Sequence, residues 1–322
     1  MNRFEIRPYR PGDESQINAS FNEVFHEQRP LDQWQWKFQP VGRNSLIMLA
    51  VASDGTVLAQ FSVQVMRLQI DDKVYPAGHA VDEFCVHAAS TVQGRAYLRT
   101  YRAFIDAYCG GDRVALFFGF PGDRHMRLGR LRMNYVDPVP VRFWIKKREI
   151  PLWTRLWPER KLASKIPPSE ELNVFWERCR HRYRISLVRN GDWLRRRYFS
   201  RPGNDYKFLS VSRGGEMAAW AIIRITQDQL KWVDLLWNGA RKDDLIGIEE
   251  KIVRIARQCR IREMVLWLMG DAEAERVIGT CGWQERPHPL NLHLTSVPFR
   301  PEISGAYVVN HFYVTMGDSD LI

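Results

Sequence analysis

The stretch DEFCVHAASTVQGRAYLRTYRAFIDAYCGG, residues 82–111, decides the fold. Two carboxylates, Asp82 and Glu83, open a short apolar strand that ends at Val86. A polar loop around Gly94 follows. Beyond it Tyr97, Tyr101, Phe104 and Tyr108 recur at helical spacing, with Leu98 and Ile105 beside them. A strand that runs into a glycine-bearing helix start aims successive backbone N–H groups at one point. The helix dipole adds to them, so such a turn suits an anion the size of a pyrophosphate. The tyrosine stripe reads as packing.

On the N-terminal side, FEIRPYRPGDESQINASFNEVF predicts a short strand and then a helix. Asp13 is its expected N-cap, and Ile17, Phe21 and Val24 share one face. LDQWQWKF comes next. Asp54-Gly55 marks a hairpin between two β-rich runs, and Asp71-Asp72 a second turn. On the C-terminal side, RVALFFGFPG is apolar throughout, as a buried strand of a parallel pair is. DRHMRLGRLR predicts a short basic helix, and NYVDPVPVRFWI a closing strand.

The first domain is therefore expected over 1–145. A linker follows over 146–168, where prolines, tryptophans and basic residues show no period. From 169 to 322 the same grammar returns, which suggests a duplication. Ser169 is the expected N-cap of SEELNVFWERCRHRY, and GDWLRRRYF predicts another helix. YKFLSVSRGGEMAAWAIIRI and LKWVDLLW form an antiparallel run. DDLIGIEEKIVRIARQC is amphipathic, with Ile248, Ile252 and Ile255 inward. EMVLWLMG, AEAERVIGT, LNLHLTSV and HFYVTMG then complete a second sheet.

A chain of 322 residues with 45% hydrophobic and 26% charged residues has room for two globular domains. Its 47 basic and 37 acidic residues leave a net charge of +10, which permits anionic partners without selecting one. The basic, aromatic run WERCRHRYRISLVRNGDWLRRRYFSR carries no nucleic-acid motif. Trp193, Leu194 and Tyr198 fall on a core spacing there, so its arginines read as a solvated face and nucleic acid is not the expected partner. The five cysteines form no C-x-x-C pair, which argues against a zinc knuckle, a metal site or a disulfide framework. No apolar run of about 18 residues and no signal-like N-terminus occur, so a cytoplasmic protein is expected.

The pattern resembles the GNAT superfamily of acyl-CoA N-acyltransferases, in the form that carries two such folds in tandem. The implied fold class is α/β, each half a mixed, mostly antiparallel sheet flanked by helices. The family's phosphate loop, V-x-P-x-x-[RQ]-x-x-G-x-[GA], matches at Val86, Gly94 and Ala96, with Ala88 and Thr91 departing from it. FFGFPGDRH followed by MNYVDPVPV is similar to the family's G-F-P-N strand end and L-G-F turn, and Cys281-Gly282-Trp283 matches that turn more closely. The resemblance implies acetyl-CoA, or another acyl-CoA, held by Cys85, Val86, His87, Thr91, Val92, Gln93, Gly94, Arg95 and Ala96. It also implies direct transfer to an amine acceptor: an amino sugar, another small amine or a protein amine. Only the first half keeps this loop, because Asp243-Asp244 would repel a pyrophosphate in the second.

Amine acylation needs a base for the amine and an acid for the departing thiolate. Glu83 is the first candidate base, Asp82 the second, and His87 the third. The structural alternative is that the two acids merely end a strand or pair with arginines. The family's acid is a tyrosine on the helix after the fifth strand, and DRHMRLGRL has none. Either the thiolate then leaves unassisted, or Tyr135, His125 or a residue of the other half is the acid. Otherwise the protein keeps the fold as a non-catalytic acyl-CoA-binding or partner-binding module. The basic Arg124, Arg127, Arg130 and Arg132 offer a surface for the cofactor's phosphates or an anionic acceptor, or are simply a solvated face of that helix.

Overall fold

A computed structural model describes residues 4–43, 45–86, 91–149, 165–203 and 205–321, with the backbone alone at 91–94. The chain opens with β1 (Phe4–Pro8), α1 (Glu14–Phe25) and α2 (Leu31–Phe38). An antiparallel meander follows: β2 (Ser45–Ala52), β3 (Val57–Ile70) and β4 (Lys73–Ala80). Gly55, at a φ of 87°, supplies the left-handed residue that the Asp54-Gly55 hairpin requires. Then come β5 (Phe84–Cys85), α3 (Thr91–Tyr108), β6 (Leu116–Gly119) and α4 (Asp123–Arg132). Because β4 and β6 run parallel, the chain needs a crossover to return, and α3 is that crossover.

Two apolar layers cover this sheet. Ile17, Trp34 and Phe38 pack on one face against Ile47, Leu49 and Phe84. Ala96, Tyr97, Tyr101 and Phe104 pack on the other against Phe61 and Phe117. Phe61 meets Tyr101 and Phe104 edge-on at 5.0 and 4.9 Å.

β7 (Val139–Pro140) belongs to the first sheet, at its edge, and β8 (Phe143–Lys147) to the second. The chain continues through α5 (Ser169–Cys179), β9 (Ile185–Leu187) and α6 (Gly191–Leu194), which runs on into a π-turn over Arg195–Phe199. Pro168, not Ser169, stands at the cap of α5, and the Ser169 hydroxyl instead accepts from Arg195 Nε at 2.9 Å. The meander β10 (Tyr206–Arg213), β11 (Glu216–Ile225) and β12 (Gln229–Trp237) leads through α7 (Lys242–Gln258) to β13 (Glu263–Trp267), parallel to β12. Then come α8 (Ala272–Thr280), β14 (Gln284–Arg286), β15 (His293–Pro298) and α9 (Gly305–His311).

The two compact units are not the contiguous blocks 1–145 and 169–322. One comprises Met1–Leu68, Val74–Pro138 and Leu294–Val309, the other Gln69–Lys73, Val139–His293 and Asn310–Ile322. LNLHLTSV does not close the second sheet. Its strand β15 lies antiparallel to β6, with Thr295 opposite Gly119 and Pro298 opposite Leu116. The VRFWI strand goes the other way: β8 pairs with β13 and β14. Each sheet thus takes a strand from the opposite half of the sequence.

Two arginines of the basic run are not solvated. Arg189 is 0% exposed and bonds Asp234 Oδ1 at 3.1 Å and Asp318 Oδ2 at 2.7 Å, while Arg197 bonds the Gly317 and Ser319 carbonyls. Burial without those carboxylates would be prohibitive. This clasp fixes the segment near the C-terminus in the second unit.

Candidate active site

The parallel pair in the first unit is registered over three positions: Ala77 with Leu116, Gly78 with Phe117, and His79 with Phe118. A Cβ on Gly78 would stand 2.8 Å from the Phe117 ring, so the glycine permits the close approach. His79 is buried and stacks on Phe118 at 4.9 Å, a packing role. Past Ala80 the chain turns away. Asp82 sits at a φ of 49°, and Phe84 and Cys85 pair with Gln60 and Ala59 on β3. The bend is held by Ser62 Oγ donating to the Val81 carbonyl at 2.6 Å and Gln60 Nε2 to the Asp82 carbonyl at 3.0 Å. Glu83 is therefore delivered where the two parallel strands part.

The Glu83 side chain is 10% exposed, and its two oxygens differ. Oε2 accepts from Tyr97 Oη at 3.0 Å and lies 2.9 Å from His125 Nε2. Oε1 is buried and meets no hydrogen-bond partner among the described residues. His125, in the first turn of α4, also lies 2.8 Å from Tyr135 Oη. Burial pulls the His125 pKa down, but the charge of Glu83 and the bond to it outweigh burial and leave it raised. Burial, and then the Glu83 charge, hold the Tyr97 and Tyr135 phenols well above their usual range. Both phenols are therefore neutral donors at physiological pH.

Local sequence explains how these groups meet. Asn134 takes a φ of 58°, a conformation that asparagine tolerates, and turns the chain back so that Tyr135 faces α4. Gly129 on α4 leaves the space that the Tyr135 ring occupies. Tyr101 Oη donates to the Met133 carbonyl at 2.8 Å and pins the same turn. Tyr97, which the sequence presents as one member of a packing stripe, is a ligand of Glu83. The available signal is chemical: a buried tyrosine hydroxyl needs an acceptor that phenylalanine would not.

The other expected site residues fall elsewhere. Asp82, 4% exposed, has one oxygen on Arg29 and the other on Lys37. The pairing alternative holds for it, since both oxygens are engaged. Cys85 is half-buried, and burial pushes its thiol up to about 11, so it is no nucleophile at neutral pH. Val86 and Ala96 are core residues, and Arg95 is exposed. His87 lies outside the described residues, as do the side chains of Thr91, Val92, Gln93 and Gly94. The backbone of 91–94 forms the first turn of the 18-residue helix α3, which carries no acidic residue there. The first N–H groups of a helix have no partner within it, and with no acid beside them such a turn suits an anion. Among the described residues no group of histidines, cysteines and acids could hold a metal ion, and no helix is long and apolar enough to cross a membrane.

No protein-family model matches the sequence, and no curated protein matches it. Solved structures do. A conserved protein of unknown function from Enterococcus faecalis V583, designated a probable N-acyltransferase, is similar over 93% of this chain and 73% of its own, at 11% identity and a TM-score of 0.65. A GCN5-related N-acetyltransferase from Anabaena variabilis is similar over 92% and 73%, at 10% identity and a TM-score of 0.62. N-myristoyltransferase of Saccharomyces cerevisiae, with bound myristoyl-CoA, is similar over 100% and 90%, at 8% identity and a TM-score of 0.58. The chain shares its fold with these N-acyltransferase structures, and has two mixed, mostly antiparallel sheets.

Proposed function

We propose that the chain is an acyl-CoA-dependent N-acyltransferase that moves an acetyl group from acetyl-CoA to an amine by direct transfer. Glu83 is the general base, and Tyr135 the acid at the departing sulfur. Acyl-CoA supplies the activated acyl group as a thioester. The first turn of α3, Thr91–Gly94, and Arg95 take its pyrophosphate. The acceptor is a small-molecule amine such as an amino sugar, or a protein amine. The observation that carries the reading is the asymmetry of Glu83: two donors hold Oε2 while Oε1, buried at the parting of the strands, is left without a partner. An unpaired buried carboxylate oxygen is costly unless a ligand donor meets it.

Direct transfer fits the thiols. Cys85 is held near 11, and burial raises Cys109 and Cys179 to about 12, so none offers a thiolate. Five unpaired cysteines also suit a reducing compartment such as the cytoplasm. The lack of a tyrosine on α4 favoured a non-catalytic binding protein, but Tyr135 from the following turn lies against the same helix.

The test is thiol release from acetyl-CoA across a panel of amines. Glu83→Gln keeps size and removes the basic oxygen, so turnover should fall by roughly a hundredfold at neutral pH. Acetyl-CoA affinity by calorimetry should hold. Unchanged turnover in this variant removes Glu83 from the chemistry.

A further inference from the structure

The relay from Glu83 through His125 to Tyr135 goes beyond a separate base and acid. We propose that His125 is a catalytic proton store that couples the two, so that the buried site keeps zero net charge through a turnover. The proposal rests on the acyltransferase reading above.

The geometry places one imidazole nitrogen between both partners. His125 Nε2 is 2.9 Å from Glu83 Oε2 and 2.8 Å from Tyr135 Oη. Tyr97 closes the cluster, with its hydroxyl on the same carboxylate oxygen and its ring edge-on to the imidazole at 5.9 Å. The contact requires a proton on Nε2, since a bare nitrogen would set a lone pair against the carboxylate. Of the two forms that carry one, the Glu83 charge favours the imidazolium over the neutral ring, in line with the raised pKa. The resting state is thus a carboxylate and an imidazolium, whose charges sum to zero.

The proton and bond changes balance. As the C–N bond forms and the C–S bond breaks, Glu83 Oε1 takes one proton from the amine nitrogen. Tyr135 Oη gives its proton to the departing sulfur, which keeps the C–S electron pair, and His125 Nε2 gives its own to the Tyr135 oxygen. The end state is a carboxylic acid, a neutral imidazole and an intact phenol, again summing to zero. The carboxyl group then turns and returns its proton to His125 along the 2.9 Å contact. Tyr135 alone would be a poor acid, because burial disfavours its phenolate. A proton donor already in place removes that obstacle. In a low-dielectric site, avoiding a change in net charge is the principal advantage of such coupling.

The variant that separates proton transfer from positioning is His125→Gln. Its Nε2 can still donate to Glu83 Oε2 but cannot release a proton. The measurements are kcat/KM with acetyl-CoA and with the acetyl thioester of thiophenol, whose thiolate leaves without an acid, plus a thermal melt to confirm folding. His125→Gln and Tyr135→Phe should each lose about a hundredfold with acetyl-CoA and only a few-fold with the thiophenyl ester. Glu83→Gln should lose similarly with both donors. Wild-type activity in His125→Gln, or equal losses with the two donors, overturns the store. If Glu83→Gln turns over normally, the base assignment fails and the relay fails with it.

Discussion

Asp82 and Glu83 are neighbours in the chain with opposite fates. The left-handed turn at Asp82 sends its carboxylate toward α1 and α2, where Arg29 and Lys37 engage both oxygens. Glu83 points toward α3 and α4. Arg29 is itself tied in: Nε bonds Asn18 Oδ1 at 2.7 Å and the guanidinium lies 3.7 Å from the centre of the Phe21 ring. Removing the charge of Asp82 therefore takes a carboxylate away from two largely buried cations. Asp82→Asn should cost about 3 kcal/mol in chemical denaturation, while turnover per folded molecule stays within a few-fold. A stable variant with lost turnover would show that Asp82 belongs to the chemistry. The two acids look alike in sequence, and only their surroundings separate them.

Helix α4 seats Tyr135 beside His125 through what it omits. An alanine at a helical glycine ordinarily gains about 1 kcal/mol. At Gly129 a Cβ would overlap the Tyr135 ring, so Gly129→Ala should displace that ring from His125. We expect turnover to fall tenfold or more, approaching Tyr135→Phe, with acetyl-CoA affinity unchanged and little gain in melting temperature. Normal turnover would mean that Tyr135 need not rest against α4. The arginines of the same helix, Arg124, Arg127, Arg130 and Arg132, are exposed, which agrees with a solvated face.

The two units differ at corresponding places. In the second, the parallel pair β12–β13 is registered from Gln229 opposite Glu263 to Trp232 opposite Leu266. Beyond it the protein's own chain lies at the strand ends: Val314 exchanges backbone bonds with Met269 at 3.2 and 3.0 Å, and Tyr313 Oη donates to the Leu235 carbonyl at 2.8 Å. The Arg189 clasp holds that segment down. At the start of α7, Asp244 is buried against Arg213 at 2.8 Å, where α3 has no acid. We therefore expect one acyl-CoA per chain by titration calorimetry. A stoichiometry of two would show that the second unit binds despite its filled strand ends and acidic helix start.

The sequence by itself determined the elements and the chemistry at hand. Turn residues placed the hairpin at Asp54-Gly55, the helical stripe located α3, and the need of acylation for a base and an acid made Glu83, Asp82 and His87 candidate bases and Tyr135 and His125 candidate acids. These are local properties, fixed by φ preferences, periodicity and side-chain pKa. Tertiary structure decided the partners. LNLHLTSV and VRFWI each read as a last strand, because alternation encodes a buried face but not which edge it will pair with. The exchange between halves follows from long-range backbone pairing that no short window contains. Arg189 looked solvated for the same reason: its partners, Asp234 and Asp318, lie 45 and 129 residues away. Tyr97 became a ligand of Glu83 only when the bend at Asp82 brought the strand end under α3, and a contact across 14 residues of chain is set by that bend rather than by spacing.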